Sequence, residues 1–256
     1  MMLRINIIGF KGGSGKSTIA YYLAQQLSSH YSTALVDKTY SGTISTIFNI
    51  NNNIFSFLRG KSELFYLIKG NLNIINMSFS GENNISNIDF NAFKYLYNKL
   101  LKDTDIVIVD HSSLPHDFAT EIELKAFMEN FRHFTYNTIL VLSGDEFPIK
   151  RYLNYTSLLN EFVRHYVEDI LGMTFSKDTK FLRVWAIVIN KLLKGQESRL
   201  NEFLEGDEIL LKSAKFVVPL YPSLLQRHFK EVDPPAEILK LIEYVESLIR
   251  EPTSVL

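Results

Sequence analysis

Apolar residues fall along this chain in two alternating rhythms. Short, largely apolar runs at Leu3–Ile8, Thr33–Val36, Leu72–Asn76, Asp105–Val109, Thr138–Leu142, Val184–Ile189 and Lys215–Val218 have the length and composition of strands in a sheet covered on both faces. Between the first two, Ile19, Leu23 and Leu27 recur every four residues beside Ala20 and Ala24, predicting a helix from near Lys16. Phe93, Tyr97, Leu100 and Leu101 make a similar stripe before the fourth strand. A last helix is predicted from about Ala236 to Arg250, because Asp233-Pro234-Pro235 is a helix-start signal. The polar, turn-rich stretches Asn49–Asn53 and Ser78–Asn87 read as loops. The alternation predicts an α/β fold, a doubly wound, mostly parallel sheet with helices on both faces, in a single domain over residues 1–256 without internal repeats.

Composition narrows the chemistry. The 256 residues are 46% hydrophobic and 21% charged, the profile of a soluble globular domain. A formal charge of -1 offers no whole-molecule attraction for nucleic acid or anionic lipid, so such contacts would need a local patch. The absence of cysteine removes disulfides, thiolate metal sites, iron–sulfur clusters and cysteine nucleophiles, and fits a cytoplasmic location. No charged-then-apolar leader opens the sequence, and no apolar run approaches the roughly 18–20 residues that span a bilayer. Of the six histidines, His111, His116 and His133 are nearest one another, without metal-ligand spacing.

The strongest signal follows the first strand: Gly9-Phe10-Lys11-Gly12-Gly13-Ser14-Gly15-Lys16-Ser17-Thr18, then the predicted helix. Glycines let several backbone N–H groups turn toward one phosphate chain, and the helix N-terminus adds partial positive charge. Lys16 supplies a full charge to the β- and γ-phosphates, and the Ser17 hydroxyl can ligate magnesium. The residues expected to bind nucleotide are Gly12, Gly13, Ser14, Gly15, Lys16, Ser17 and Thr18, in the manner of P-loop NTPases, with ATP and Mg2+ as cofactors.

Phe10 stands where an ordinary Walker A loop has its first glycine, and Lys11 supplies a second lysine. The run Lys-Gly-Gly-x-Gly-Lys-Ser resembles the deviant Walker A loop of the ParA/MinD family of ATPases. The resemblance implies that Lys11 reaches across an ATP-bound homodimer to the partner's nucleotide, and that Lys11 and Lys16 are catalytic. It assigns Asp110, at the end of the fourth strand, to the Walker B position beside magnesium, with Ser17 as the other metal ligand. It assigns Asn190, after Val184–Ile189, to the adenine edge, and Pro219 to the loop whose backbone lies against the base.

Two segments depart from the family. Asp110 is followed by His111-Ser112-Ser113-Leu114-Pro115 rather than Thr-Pro-Pro, and Thr39 in Asp37-Lys38-Thr39-Tyr40-Ser41-Gly42 replaces the second aspartate that helps place the attacking water. Losing such a group typically lowers a rate by about 10²-fold or more, so tight ATP binding with slow hydrolysis is expected, with Asp37 the first candidate to fill the role. On resemblance the partners are nonspecific DNA, which would associate the protein with the nucleoid, and a centromere-binding, ParB-like protein, for segregation of a plasmid or chromosome cargo. Basic candidates for DNA are Lys150, Arg151, Lys191, Lys194, Lys212, Lys215, Arg227, His228 and Lys230. The acidic polar face of the last helix, Glu237, Glu243, Glu246 and Glu251, argues against membrane attachment. Two other readings stay open: a regulatory module that binds nucleotide with little hydrolysis, and an ATP-dependent small-molecule kinase or ligase on the same fold.

Overall fold

The computed structural model describes residues 2–79, 88–112, 118–130, 136–144, 155–177, 179, 181–193, 195 and 211–250. His116, His133, Ser113–Pro115, Lys150, Arg151, Lys194, Glu251 and the greater part of Ser78–Asn87 lie outside them. Eight strands form one sheet: β1 Leu3–Ile8, β2 Thr33–Lys38, β3 Tyr66–Lys69, β4 Leu72–Asn76, β5 Ile106–His111, β6 Tyr136–Ser143, β7 Leu182–Leu192 and β8 Ala214–Pro219. Their spatial order is β3-β4-β2-β5-β1-β6-β7-β8. Every neighbouring pair is parallel except β3–β4. The sheet is doubly wound, with β1 central and successive strands added first to one side and then to the other. That order opens a crevice at the C-terminal ends of β1 and its neighbours, where ligands bind in such sheets.

Strand alternation divides the side chains between two faces. On one, Ile5, Ile7, Leu35, Ile106, Ile108, Ile139 and Val141 meet helices α1 (Lys16–Leu27) and the last helix, α8 (Ala236–Arg250). Ile19, Leu23 and Leu27 of α1 interlock there with Leu241, Ile242 and Val245 of α8. Each such buried side chain is worth about 1.5–3 kcal/mol relative to exposure. Short helices α2 (Thr43–Ile47) and α3 (Ile54–Leu58) follow β2, and the Asn53 side chain caps α3 by accepting from Ser56 N. On the opposite face lie α4 (Phe90–Leu101), capped by Asp89, α5 (Phe118–Asn130) and α6 (Tyr155–Leu171). The short α7 (Pro222–Gln226) leads from β8 toward α8.

The second face is not purely apolar. Arg4 of β1 makes a bidentate pair with Glu123 of α5 at 2.5 and 2.7 Å, and Lys38 of β2 lies 3.5 Å from the same carboxylate. Tyr97 of α4 donates to Glu123 at 2.6 Å, and the Phe127 ring lies under the Arg4 guanidinium. Arg4 Nε also donates to Asn6 Oδ1. The same oxygen lies 3.0 Å from His111 Nε2. The Asn6 amide is fixed by donation to the Asn137 carbonyl, so its oxygen must accept and His111 Nε2 carries the proton.

All seven expected strands are present, and α8 has the expected bounds. The additional strand, β3, is the antiparallel edge. It was not legible because it is four residues long and mostly exposed, so it carries no buried-strand pattern.

Candidate functional site

The glycine-rich segment leaves β1 under tight steric limits. A Cβ on Gly9 would approach the Val141 carbonyl of β6 to 2.4 Å, which excludes a side chain. Gly13 and Gly15 take φ of +77° and +97°, the left-handed region that glycine occupies without strain. Gly15 is the N-cap of α1 and supplies no side-chain acceptor, which leaves the first-turn N–H groups for an anion. The Lys16 ammonium is held in the loop by donating to the Lys11 carbonyl at 3.0 Å, while the Lys11 side chain is exposed. The Ser14 hydroxyl is buried, with no hydrogen-bond partner among the described residues.

A cavity of about 520 Å³ opens from this loop. Gly12, Gly13, Gly15, Lys16, Ser17 and Thr18 form one wall, Thr39, Tyr40 and His111 another, and Asn190, Pro219, Tyr221 and Phe229 a third. Lys11 lies outside it, beside a cavity of about 240 Å³ shared with Lys191, Leu193 and Leu220. Asn190 donates to the Ser14 carbonyl at 2.9 Å, so this side chain is tied to the loop as well as lining the cavity.

Asp37 and Asp110 are register partners at the C-terminal ends of β2 and β5, both fully buried. Their carboxylates have different surroundings. Asp37 accepts from Thr39 N at 3.2 Å and Thr39 Oγ1 at 2.7 Å on one oxygen, and from Ser45 N and Oγ at 2.7 and 2.8 Å on the other. In this arrangement Asp37 shapes the turn before α2, and Thr39 Oγ1 extends the chain by accepting from Thr43 N. Among the described residues neither Asp110 oxygen meets full hydrogen-bond geometry, and the interaction it does have is with the Ser17 hydroxyl and the Lys16 charge. Burial pushes its carboxyl well above the ordinary carboxylate range, and the Asp37 charge adds to this, with the Ser17 hydroxyl and Lys16 only partly opposing.

The family model for the CobQ/CobB/MinD/ParA nucleotide-binding domain matches residues 5–254. The chain belongs to this family. Solved structures with the same fold include a protein assigned to plasmid partition in Borrelia burgdorferi B31 and bound to AMPPNP, 20% identical with TM-score 0.64, covering 98% of this chain and 100% of that one. The septum site-determining protein MinD of Pyrococcus horikoshii OT3, complexed with Mg-ADP, is 15% identical with TM-score 0.63 over 100% of both chains. Cobyrinic acid a,c-diamide synthase of Mycobacterium smegmatis, with ATP analogue and magnesium, is 14% identical with TM-score 0.62, covering 99% and 96%. An uncharacterized ATP-binding protein of Methanocaldococcus jannaschii is 27% identical over 152 residues, 57% of this chain and 56% of that protein. The match thus spans only about half the length of that relative.

As a member of the CobQ/CobB/MinD/ParA family the chain is a nucleotide-binding domain. Its own residues fit the implied metal. The two buried oxygens of Asp110 and the Ser17 hydroxyl beside them are the hard oxygen donors that magnesium takes, and a bound cation would answer the burial that now disfavours the charged carboxylate. Burial lowers the His111 pKa well below its usual value, helped by Lys38, Arg4 and Lys16, so the imidazole is neutral.

Several basic candidates have internal roles. The Lys191, Lys215 and Lys230 ammonium groups donate to the Gly13, Leu211 and Ile47 carbonyls, while Arg227 and His228 border the cavity. The bond from Lys191 to the phosphate loop had no local signal. Its partner is 178 positions away, and its direction depends on a kink at the end of β7. For the Arg4–Glu123–Lys38 cluster a signal existed, since Arg4 and Asn6 put a charge and an amide into a central strand whose other residues are apolar.

Proposed function

We propose that this ATPase-family domain works as an ATP-dependent dimerising switch of the partition type. It would bind ATP and Mg2+ at the loop, pair with a second copy across the exposed Lys11, and associate nonspecifically with DNA to segregate or position a plasmid or chromosome cargo. The observation that carries this reading is Lys11. Its side chain is exposed at the front of the loop while Lys16 is buried within it, so the two lysines face different surroundings, as a division between a partner's nucleotide and the chain's own would need. The Borrelia burgdorferi likeness, to a protein of plasmid partition, supports the partition setting. Such a role would place the protein in the cytoplasm, at the nucleoid. A centromere-binding, ParB-like protein would stimulate the ATPase. Ser17 and Asp110 would hold magnesium, which supplies charge neutralisation at the phosphates. Lys16 would orient the phosphate chain, and Asn190 and Pro219 would border the base. Thr39 gives less electrostatic help than a carboxylate, and Asp37 is already engaged by Thr39 and Ser45, so basal hydrolysis is expected to be slow.

A second reading, an ATP-dependent ligase or kinase, is favoured by one feature. A polar cavity of about 350 Å³, lined by Asn51, Asn52, Asn76, Lys61 and Glu63 among others, shares Ser41 with the nucleotide cavity and could take a polar substrate. Light scattering with Mg·ATP, with ADP and without nucleotide, with and without DNA, separates the readings. The switch predicts dimers in Mg·ATP alone, salt-sensitive DNA retention by those dimers, and a Lys11→Ala variant that binds ATP as a monomer. A monomer in every condition that turns over ATP only with a metabolite would establish the ligase reading instead. Dimers without DNA affinity would leave a regulatory module.

A further inference from the structure

We infer that the Asn190–Lys191 step is a clasp that sets the shape of the phosphate loop, with Lys191 as a positioning residue for nucleotide binding. This rests on the loop being the nucleotide site and assigns a role to a residue outside the loop's own motif. The pairing of β7 with β8 slips between Asn190 and Leu192, so Lys191 is the extra residue of a β-bulge. Bulges redirect side chains and are common beside active sites. Lys191 takes φ +58°, and among the described residues only Asn49 is another non-glycine with positive φ. Asparagine tolerates that region and lysine does not, so the local backbone is strained and must be held by its contacts.

The contacts are specific. The Lys191 ammonium donates to the Gly13 carbonyl, and the adjacent Asn190 amide donates to the Ser14 carbonyl at 2.9 Å. Lys191 N in turn donates to Asn190 Oδ1 at 3.0 Å, which locks the two side chains to each other. In a trans peptide the C=O and the following N–H point in opposite directions. Pinning the Gly13 oxygen therefore turns Ser14 N–H the other way, and pinning the Ser14 oxygen does the same for Gly15 N–H. Two consecutive donors of the loop are aligned by two consecutive side chains of β7. The fit is close: a Cβ on Gly15 would come within 2.0 Å of Asn190 Nδ2.

The test combines nucleotide titration with thermal unfolding in the full chain. Lys191→Gly removes the ammonium while relieving the left-handed strain, so it should unfold at the same temperature as the parent or higher. It should nevertheless bind Mg·ATP and Mg·ADP about tenfold or more weakly, by similar factors, the loss of a charge-assisted hydrogen bond. Lys191→Arg, which keeps the cation and its donors, should recover most of the affinity. Unchanged affinity in Lys191→Gly, or a loss no larger than a drop in its unfolding temperature explains, overturns the clasp. So does weakening confined to ATP, which would place Lys191 on the terminal phosphate. If the parent itself bound neither nucleotide, the site assignment would fail rather than the clasp.

Discussion

The two faces of the central sheet solve the same packing problem with different chemistry. Toward α1 and α8 the strands present aliphatic side chains, and the only charged groups on that side of β2 and β5 are Asp37 and Asp110, buried at the C-terminal ends of the two strands. Toward α4 and α5 the same strands present Arg4, Asn6, Lys38 and His111, gathered around Glu123 in a solvent-free core. Consecutive registers of one strand pair thus send two carboxylates to one face, Asp37↔Asp110, and two basic side chains to the other, Lys38↔His111. On the first face Asp110 is left in surroundings that would suit a cation. On the second the Arg4, Lys38 and Glu123 charges neutralise one another internally.

The sharpest break of this contrast is Glu123→Leu. It leaves Arg4 and Lys38 buried without their carboxylate and should destabilise the fold by about 3–5 kcal/mol in urea unfolding. Replacing all three together, Arg4→Met, Lys38→Met and Glu123→Leu, should recover most of that loss. A triple variant as unstable as the single one would show that something other than charge balance distinguishes the faces. Acid titration sharpens the point. Burial alone would raise the Glu123 carboxyl, but the Arg4 charge and hydrogen bonds, aided by Lys38 and Tyr97, hold it at about 2 against an ordinary 4.5. Its folded pKa is depressed, so its stabilisation is complete above about pH 4.5 and is lost as the pH falls toward 2. Glu123→Gln should lack that component of the pH dependence.

On the aliphatic face the largest single effect should be a cavity. Leu241→Ala in α8 is expected to cost about 3 kcal/mol, with no acid-dependent component. A smaller loss, about 1.5 kcal/mol, is expected for Tyr97→Phe, which deletes one neutral donor to Glu123 and leaves the ion pairs in place. Denaturant curves on both variants check these values. If the Tyr97→Phe loss approached that of Glu123→Leu, the hydrogen bond rather than the charges would dominate the polar face.

What could be read from the chain follows how local each determinant is. Parallel strands buried on both sides appear as apolar runs, so β1, β2 and β4 through β7 were visible; edge strand β8 is largely exposed or half-buried but keeps the apolar Phe216-Val217-Val218, whereas exposed β3 was not legible. The glycine-rich loop is a continuous segment whose glycines answer local backbone demands, so its turn geometry could be anticipated in order. Thr39 is also local, lying two positions from the Asp37 it bonds. The clasp was hidden because Asn190 and Ser14 are 176 positions apart and the bulge arises only when β7 pairs with β8. The Arg4–Glu123 pair spans 119 positions, so the charge in β1 was visible but its partner was not.

The packing of α1 against α8 has a consequence for biogenesis. The Tyr22 hydroxyl of α1 donates to the Val232 carbonyl, 210 positions further on, and Ile238 at the start of α8 both joins that core and borders the nucleotide cavity. A nascent chain emerging from the ribosome therefore presents its glycine loop long before the helix that buttresses it exists. Nucleotide should act on this protein as a late, post-translational ligand, and the partly made chain is the form most exposed to chaperones.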